Sequence, residues 1–327
     1  MSIYKNRSCL ITGGLGFLGS NLARALVEVG ARVTIMDNFL AGHGANLFNL
    51  DGIQDKVAVI KEDIRNSPSL SGLVKDHEII FNLAGQVSHL DSVANPFMDY
   101  EINILGHLNV LESCRHSGKG QRIIYAGTRG QYGEVKSLPV RENSPRLPLD
   151  IYGVHKDTAE RLHFIYASLF GLKVTSLRIN NVFGPRHQMQ HHKYGVLNWF
   201  IRLALDNSEI KIFGQGEQLR DYSFVDDITS AFLLVGEKRE AIGEVYNIGS
   251  GQSLKFREMT EAVVRLAGQG KIKNIPWPEG YRNIEVGDYV VDFSKIKALG
   301  WESKVSFEEG LKLTIDFYRR YKKYYWK

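Results

Sequence analysis

The fold is decided by Ser8-Cys9-Leu10-Ile11-Thr12-Gly13-Gly14-Leu15-Gly16-Phe17-Leu18-Gly19 and by the later stretch Val33-Thr34-Ile35-Met36-Asp37. The first five residues predict a short buried strand, the glycines indicate a turn, and the apolar periodicity as far as Gly30 predicts a helix. The later stretch predicts a second strand that ends in an acidic residue. Glycines at 13, 16 and 19 permit a tight turn, bring the backbone close to a ligand and let the helix pack on the strand.

This turn has the chemistry that a dinucleotide requires. A diphosphate there meets unpaired backbone N–H groups and the positive end of the helix dipole. Asp37 can accept both ribose hydroxyls of an adenosine, and its charge repels a 2′-phosphate, which favours NAD over NADP. A glycine-rich turn can be purely structural, but the order of strand, glycines, helix, strand and acid favours a dinucleotide site. The candidate cofactor contacts in this unit are Gly13, Gly16, Phe17, Leu18, Gly19, Asp37 and Asn38.

The composition is that of a globular protein, with 43% hydrophobic and 24% charged residues among 327. No apolar run reaches the roughly 20 residues of a membrane span, and the N-terminus lacks the pattern of a signal peptide. The net charge of +5 suits small anionic ligands and is too diffuse to indicate nucleic acid. Cys9 and Cys114 fall in a predicted strand and a predicted helix, as reduced core residues do. We therefore expect a cytoplasmic protein with neither a membrane nor a nucleic acid as partner.

Strands and helices alternate through the first half of the chain. Further strands are predicted at 56–62, 78–83, 121–126 and 173–179, and helices at 101–117 and 152–170. This alternation predicts an α/β protein with a Rossmann-type, doubly wound parallel sheet. Ligands of such sheets bind at the carboxyl ends of the strands. Further candidate site residues at these ends are Asp63, Ile64, Leu83, Ala84, Gly85, Thr128 and Asn181.

The pattern changes beyond Pro185. A helix is predicted at 196–205, short strands at 210–213 and 219–225, and then a helix capped by Asp226 or Asp227. We expect a dinucleotide-binding domain at 1–180, interleaved with later segments, and mainly a smaller α/β substrate lobe at 181–327. The polar stretch before the first of these helices contains His187, His191 and His192 without Cys, Asp or Glu at ligand spacing. These are therefore interpreted as loop histidines, and no metal site is expected.

Tyr152 and Lys156 lie four residues apart and hence on one face of a predicted helix. A free phenol has a pKa of about 10, too high for a base at neutral pH. A nearby ammonium and a positive nicotinamide stabilise the phenolate and lower that value. Thr128, after a neighbouring strand, can bridge a substrate hydroxyl to the phenol. The alternative for such a pair is a solvated lysine beside a core tyrosine, but the dinucleotide turn and Thr128 favour a catalytic constellation.

Together these motifs resemble the extended short-chain dehydrogenase/reductase family, and most closely its nucleotide-sugar epimerases and dehydratases. The resemblance covers residues from about 8 to 315, nearly the whole chain. It rests on the stretches Thr12–Gly19, Asn82–Gly85, Tyr125–Thr128, Tyr152–Lys156, Asn181–Arg186, Arg220–Asp227, Tyr246–Gly249, Asp292–Lys295 and Leu299–Trp301.

The resemblance implies roles for individual residues. Thr128, Tyr152 and Lys156 match the catalytic triad, Lys156 also holding the nicotinamide ribose, and Asn103 matches a position that orients the lysine or lines the cofactor. Asn181 and Arg220 match diphosphate contacts, and Phe213 falls where a uridine-type base packs. The family's usual Arg-x-Gly-Asp motif is altered in this chain. Arg282 would therefore have to reach the diphosphate through a longer loop. The implied substrate contacts are Gln86, Thr128, Asn181, Val196, Lys211, Phe213, Arg220 and Arg282.

The residues after Thr128 distinguish the reactions of this branch. Its 4,6-dehydratases carry Thr-Asp-Glu and its decarboxylases Thr-Ser-Glu, whereas this chain has Thr128-Arg129-Gly130. Hydride removal and return needs no such acid, so we expect an NAD-dependent epimerase, by default acting at C4 of an NDP-hexose, with a UDP-sugar favoured. Epimerisation at C2, dehydration and decarboxylation stay open, as does a catalytically silent NAD-binding module. Arg129 and Gln86 would suit a carboxylated or otherwise modified sugar.

The predicted helices at 101–117 and 152–170 carry wide apolar faces. Members of the family commonly pair these two helices into a dimeric four-helix bundle. The resemblance therefore implies a homodimer.

Overall fold

The computed structural model describes residues 2–279 and 286–326, and it is built around a seven-stranded parallel sheet. The strands are β1 Ser8–Thr12, β2 Arg32–Asp37, β3 Val57–Lys61, β4 Ile79–Asn82, β5 Arg122–Thr128, β6 Lys173–Ile179, β7 Asn181–Phe183, β8 Glu209–Phe213, β9 Leu219–Phe224, β10 Val245–Ile248, β11 Ser253–Lys255 and β12 Lys271–Ile275. The helices are α1 Phe17–Glu28, α2 Ser67–Lys75, α3 His89–Ala94, α4 Pro96–Tyr100, α5 His107–Ser117, α6 Ile151–Phe170, α7 Val196–Leu205, α8 Val225–Glu237, α9 Phe256–Ala267, α10 Ser294–Ala298 and α11 Phe307–Tyr325.

The sheet has the order β10-β6-β5-β4-β1-β2-β3, and every pair is parallel. β1 therefore lies between β2 and β4, where the strand order reverses. In doubly wound sheets the crevice at this reversal, beyond the carboxyl ends of the strands, is the ligand site. β1, β4 and most of β6 are buried along their length, as strands covered on both faces are. The predicted Rossmann-type α/β fold is confirmed.

Two apolar cores fill the two faces of the sheet. One joins the sheet to α1 and α8 through Leu22, Leu26 and Phe232. The other joins it to α2 and α5 through side chains that include Leu70 and Val110. Because α8 and β10 come from the second half of the chain, the two halves interleave, and the boundary at 180/181 stays a nominal prediction.

The later segments build a second, smaller layer. It contains a three-stranded sheet, β11-β9-β7, and the parallel pair β12-β8. A separate core joins α7, α9 and α11, with Phe200, Met259 and Ile315 among its members. This layer closes over the carboxyl ends of the large sheet from one side.

Two local predictions differ from the structure. The helix expected at 101–117 is interrupted by a π-helical segment over Glu101–Gly106, so its regular part begins at His107. The helix expected to be capped by Asp226 or Asp227 begins at Val225 without a side-chain cap. Asp227 instead accepts hydrogen bonds from the Ser303 hydroxyl and from two backbone N–H groups beyond it, which ties α8 to a later loop.

Across residues 2–279 and 286–326, none of the helices has both the length and the hydrophobicity needed to cross a bilayer.

Candidate active site

A single cavity of about 900 Å³ runs along the carboxyl ends of the large sheet and under the smaller layer. Most of the site residues predicted from the sequence line it. These are Gly13, Gly16, Phe17, Leu18, Gly19, Asp37, Asn38, Asp63, Ile64, Leu83, Ala84, Gly85, Thr128, Tyr152, Lys156, Asn181, Val196, Lys211, Phe213 and Arg220.

The glycine turn forms a close-packed cradle at one end. Gly13 has a φ of +70°, and a Cβ on it would lie 2.8 Å from the Cα of Ala84. A Cβ on Gly19 would lie 2.4 Å from the carbonyl oxygen of Gly13. Any side chain would therefore force the turn apart, whereas a diphosphate uses the space and the backbone N–H groups at the start of α1. This cradle fits the group that the sequence predicts for it.

The acid at the end of β2 is fixed by the same turn. The Asp37 carboxylate accepts hydrogen bonds from the backbone N–H of Leu15 at 3.0 Å and of Phe39 at 2.9 Å. Burial raises the pKa of Asp37, although these two hydrogen bonds act in the opposite direction. The turn and the acid are thus one rigid unit, and the acid faces the cavity.

A second acid, Asp63, lies on the next strand end. Burial alone would raise the pKa of Asp63, but hydrogen bonds from Arg65 and Asn38 lower it to about 2. The Arg65 guanidinium binds it from two nitrogens, at 2.8 and 3.0 Å. Ile64, the next residue, packs against Gly106, where a Cβ would lie 2.4 Å from the Ile64 side chain. This end of the cavity therefore offers an apolar wall beside a fixed carboxylate.

The catalytic candidates line the same cavity as the glycine turn. Tyr152 and Lys156 are both buried and lie one turn apart on α6, which begins at an Asp150 cap that accepts from the Gly153 N–H at 2.7 Å. Thr128 ends β5 and accepts from the Gly130 N–H at 3.1 Å. Two elements, α6 and β5, thus bring a phenol, an ammonium and a hydroxyl to one cavity.

The electrostatics of Tyr152 differ from the sequence-based expectation. Burial raises the pKa of Tyr152, and the groups that oppose this rise are Thr128, through a hydrogen bond, and Arg129, through its charge. Lys156 is instead directed at Tyr125, with its Nζ 4.3 Å from the centre of that ring. Burial lowers the pKa of Lys156 to about 7, against the attraction of Asp99 and Glu160. A phenolate at Tyr152 therefore needs positive charge beyond what this helix supplies.

Among the described residues, two predicted contacts fall outside the cavity lining. The expectation for Gln86 is corrected, because its amide is buried and donates to Ser88 O and to Asp99 Oδ2, each at 2.9 Å. Asn103 lies in the π-helical segment and donates to the Gln86 carbonyl at 2.9 Å. Its Oδ1 is 3.1 Å from where a Gly85 Cβ would be, so it packs behind the lining rather than on it. Arg282 lies outside the described residues.

One part of the cavity lining is aromatic. Phe213, at the end of β8, lies 5.3 Å from the ring of Trp277, and Trp199 and Phe256 also face the cavity. Arg220 lines the same region and donates to the backbone carbonyl of Leu219 at 2.8 Å. Trp277 was not found from the sequence, because a tryptophan in an irregular segment carries no periodic signal.

The histidine-rich stretch lies over the cavity rather than apart from it. His187 is buried against Phe17, and burial lowers its pKa to about 4. His191 Nε2 lies 2.8 Å from the Gly42 carbonyl, and Lys193 binds Asp91 at 2.7 Å. In the described part of the chain, no three His, Cys, Asp or Glu side chains gather as metal ligands would.

His89 is a site residue that the sequence analysis missed. It lines the cavity, and its ring lies 5.0 Å from that of Tyr152 in an edge-to-face arrangement. Its Nδ1 forms a hydrogen bond with the carboxylate of Asp150. The two residues are 61 positions apart, so no local motif reveals the pair.

Comparison with known proteins gives concordant results. The family model described as GDP-mannose 4,6 dehydratase matches residues 10–314. A putative UDP-glucose 4-epimerase of Methanocaldococcus jannaschii is 33% identical over 311 residues, covering 94% of this chain and 97% of that protein.

Two solved structures are similar along nearly the whole chain. The UDP-glucose 4-epimerase of Thermotoga maritima, solved with UDP-glucose, is 35% identical with a TM-score of 0.87, covering 96% of this chain and 99% of its own. The UDP-glucose 4-epimerase of Thermus thermophilus, solved with NAD, is 31% identical with a TM-score of 0.85, covering 95% and 99%.

Proposed function

This chain belongs to the extended short-chain dehydrogenase/reductase family, in its nucleotide-sugar epimerase and dehydratase branch, and we propose that it is an NAD-dependent nucleotide-sugar epimerase. The observation that carries the proposal is the placement of Tyr152 and Lys156 in one cavity with the glycine turn, beside a threonine that no acid follows. We propose C4 of an NDP-hexose as the reacting carbon and UDP as the favoured nucleotide.

The residues that would hold NAD are those of the cradle and of the neighbouring strand ends. The backbone of Gly13, Gly16 and Gly19 suits the diphosphate, and Asp37 suits the adenosine ribose. Asp63 and Ile64 offer a polar edge and an apolar face to the adenine. Bound there, NAD would supply the hydride chemistry, as the acceptor of a hydride from the sugar carbon and then as its donor to the other face.

The chain's own groups handle the proton. The Tyr152 phenolate accepts the proton of the sugar hydroxyl, and the same phenol returns it after the keto sugar has turned in the pocket. Thr128 hydrogen-bonds to Tyr152 and steadies the phenolate. The positive charge of a bound nicotinamide would favour the ionised phenol, beyond what Lys156 supplies from the same helix.

We propose that the remaining contacts hold the nucleotide. Asn181 and Arg220 bind the diphosphate, with Arg282 as a further candidate. Phe213, with its aromatic neighbours, packs on the base. Val196 and Lys211 line the same end of the cavity and contact the nucleotide from its rim. Asn103 supports this arrangement from behind, beside Gly85.

The decisive experiment identifies the sugar product rather than only the redox state of the cofactor. The purified enzyme is incubated with UDP-, GDP-, CDP- and dTDP-sugars, and proton NMR identifies the product. An epimerase interconverts two sugars that differ at one carbon, which also separates C4 from C2. Loss of the C6 hydroxyl would identify a dehydratase and release of CO₂ a decarboxylase, and either result would contradict the proposal.

The Tyr152→Phe variant assigns the base. It should lose turnover by several orders of magnitude while retaining bound NAD, since the phenol hydroxyl is not part of the cradle. A Tyr152→Phe enzyme with near-normal turnover would remove the phenol from the mechanism. Wild-type protein that binds NAD but changes no sugar would be a silent NAD-binding module.

We also propose a homodimer in the cytoplasm. Apolar side chains on α4 and α6 are exposed on the single chain, including Phe97, Ile165 and Leu169. Such a patch is typical of a protein–protein contact. The two cysteines, Cys9 and Cys114, are buried and unpaired, as in a reducing compartment.

A further inference from the structure

His89 lines the cavity beside the catalytic candidate Tyr152. It is the first residue of α3, and its side chain is 42% exposed, toward the cavity it lines. One edge of its ring faces Tyr152, and its Cε1 is 3.7 Å from where a Cβ on Gly130 would lie. It therefore stands between the phenol and the turn that follows Thr128.

Asp150 fixes the orientation of this ring. Its carboxylate is only 8% exposed and is held by the start of α6, because Oδ1 accepts the Gly153 N–H. The other oxygen, Oδ2, pairs with His89 Nδ1. Burial alone would raise the pKa of Asp150, but the hydrogen bonds from His89 and from the Gly153 N–H, together with nearby positive charge, outweigh it, and the pKa is lowered.

The pairing also fixes what the imidazole can offer. An ionised carboxylate only accepts hydrogen bonds, so Nδ1 of the neutral ring must carry the proton. Nε2, on the far side of the ring from Asp150, then holds a lone pair and can only accept. The pair thus presents a hydrogen-bond acceptor of fixed direction beside the phenol.

We propose that His89 is a specificity-determining residue that binds the sugar: its Nε2 accepts a hydrogen bond from a sugar hydroxyl next to the one that Tyr152 deprotonates. This inference rests on the proposed function, because it presumes a nucleotide sugar with its reacting carbon at Tyr152. Asp150 acts through His89 and is a positioning residue. The sugar, rather than the nucleotide, is what this contact recognises.

The experiment measures binding without turnover. Affinities for UDP-glucose and for UDP are determined by calorimetry on the NAD-bound Tyr152→Phe enzyme, and then after adding His89→Asn. Asn can still pair with Asp150 through its amide but has nothing at the position of Nε2. Loss of one neutral hydrogen bond predicts UDP-glucose affinity about 2- to 13-fold weaker, with UDP affinity unchanged.

Three further variants sharpen the result. His89→Gln places an amide oxygen near the position of Nε2 and should recover part of the lost affinity. Asp150→Asn keeps the helix cap, because Asn is as good a cap as Asp, but it frees the ring and should weaken UDP-glucose binding alone. His192→Asn replaces another cavity-lining histidine and is the matched control. It should leave the difference between the affinities for UDP-glucose and for UDP unchanged.

Two results would overturn the inference. Unchanged UDP-glucose affinity in His89→Asn would show that the ring does not touch the sugar. Equal weakening of UDP and UDP-glucose would show a structural role only. A Tyr152→Phe parent that binds neither ligand would be a different failure, because it contradicts the proposed function on which the inference stands.

Discussion

The Lys156 ammonium lies over the face of Tyr125, 4.3 Å from the ring centre, and the Tyr125 hydroxyl donates to the Lys156 carbonyl at 3.2 Å. Tyr125 comes from β5 and Lys156 from α6, so this contact fixes the catalytic lysine to the sheet. A buried ammonium over an aromatic face is stabilised by about 2 kcal/mol. The Tyr125 ring therefore offsets part of the free energy that is lost when the Lys156 ammonium is buried.

Replacing Tyr125 with Leu should lower both NAD affinity and turnover, since the ammonium loses the surface that positions it. An effect of about 2 kcal/mol corresponds to roughly 30-fold. Tyr125→Phe keeps the ring and loses only the hydroxyl, so it should cost less than about tenfold. Fluorescence titration of NAD on both variants checks this, and equal losses in the two would show that the ring face is unimportant.

The burial of Lys156 also predicts a pH dependence of stability. Its pKa is lowered from 10.5 to about 7 in the folded protein, so between these values the unfolded chain holds more protons on this amine. The free energy of unfolding should therefore rise with pH across this window, by at most about 1.4 kcal/mol per pH unit from this one group. Below about pH 7 both states are protonated and the slope from this group vanishes.

The measurement compares wild-type protein, stripped of NAD, with Lys156→Met between pH 7 and pH 10. The stability difference between the two should shift in favour of the wild type as pH rises, because only the wild type loses a buried charge. Titrations of other groups occur in both proteins and cancel. Parallel curves for the two proteins would show that Lys156 is not neutralised in this range.

How far the sequence leads can be judged at particular residues. The strands around Cys9, Phe81 and Ile124 were predictable because strands buried on both faces are continuous apolar runs. The glycine turn and Asp37 were predictable because their roles depend on the backbone and on strand order. Both are properties of consecutive residues.

What stayed hidden depends on contacts between distant residues. His89 reveals its place only through Asp150, which is 61 positions away. Lys156 was predicted from its spacing to Tyr152, but its contact with Tyr125, 31 positions away, was not. Gln86 follows a strand end as a ligand-binding residue does, yet its side chain turns inward to Asp99. The raised pKa of Tyr152 reflects burial, which residue spacing does not report.

The pair of Glu160 and Arg178 anchors the catalytic helix. The two charged groups are 2.6 Å apart, each nearly inaccessible, and Glu160 also accepts from Ser176 at 2.7 Å. Glu160→Gln leaves the guanidinium buried without its counter-charge, so we expect a loss of about 3–5 kcal/mol in the free energy of unfolding. Thermal unfolding measures it. Glu308→Gln, in the exposed pair with Arg265, is the control and should leave the midpoint nearly unchanged.

The exposed apolar face of α6 leads to a prediction about the assembly state of the protein. Ile165 and Leu169 are four residues apart on one face of the helix and are 52% and 68% exposed on the single chain. In the proposed dimer this face is covered, so Leu169→Glu would bury an unpaired charge in the interface and should yield monomers. Leu47→Glu changes a leucine of similar exposure, at 61%, away from α6, and should leave the assembly intact. Sedimentation velocity distinguishes the species, and a wild-type protein that sediments as a monomer at micromolar concentration would contradict the proposed interface, whatever the variants do.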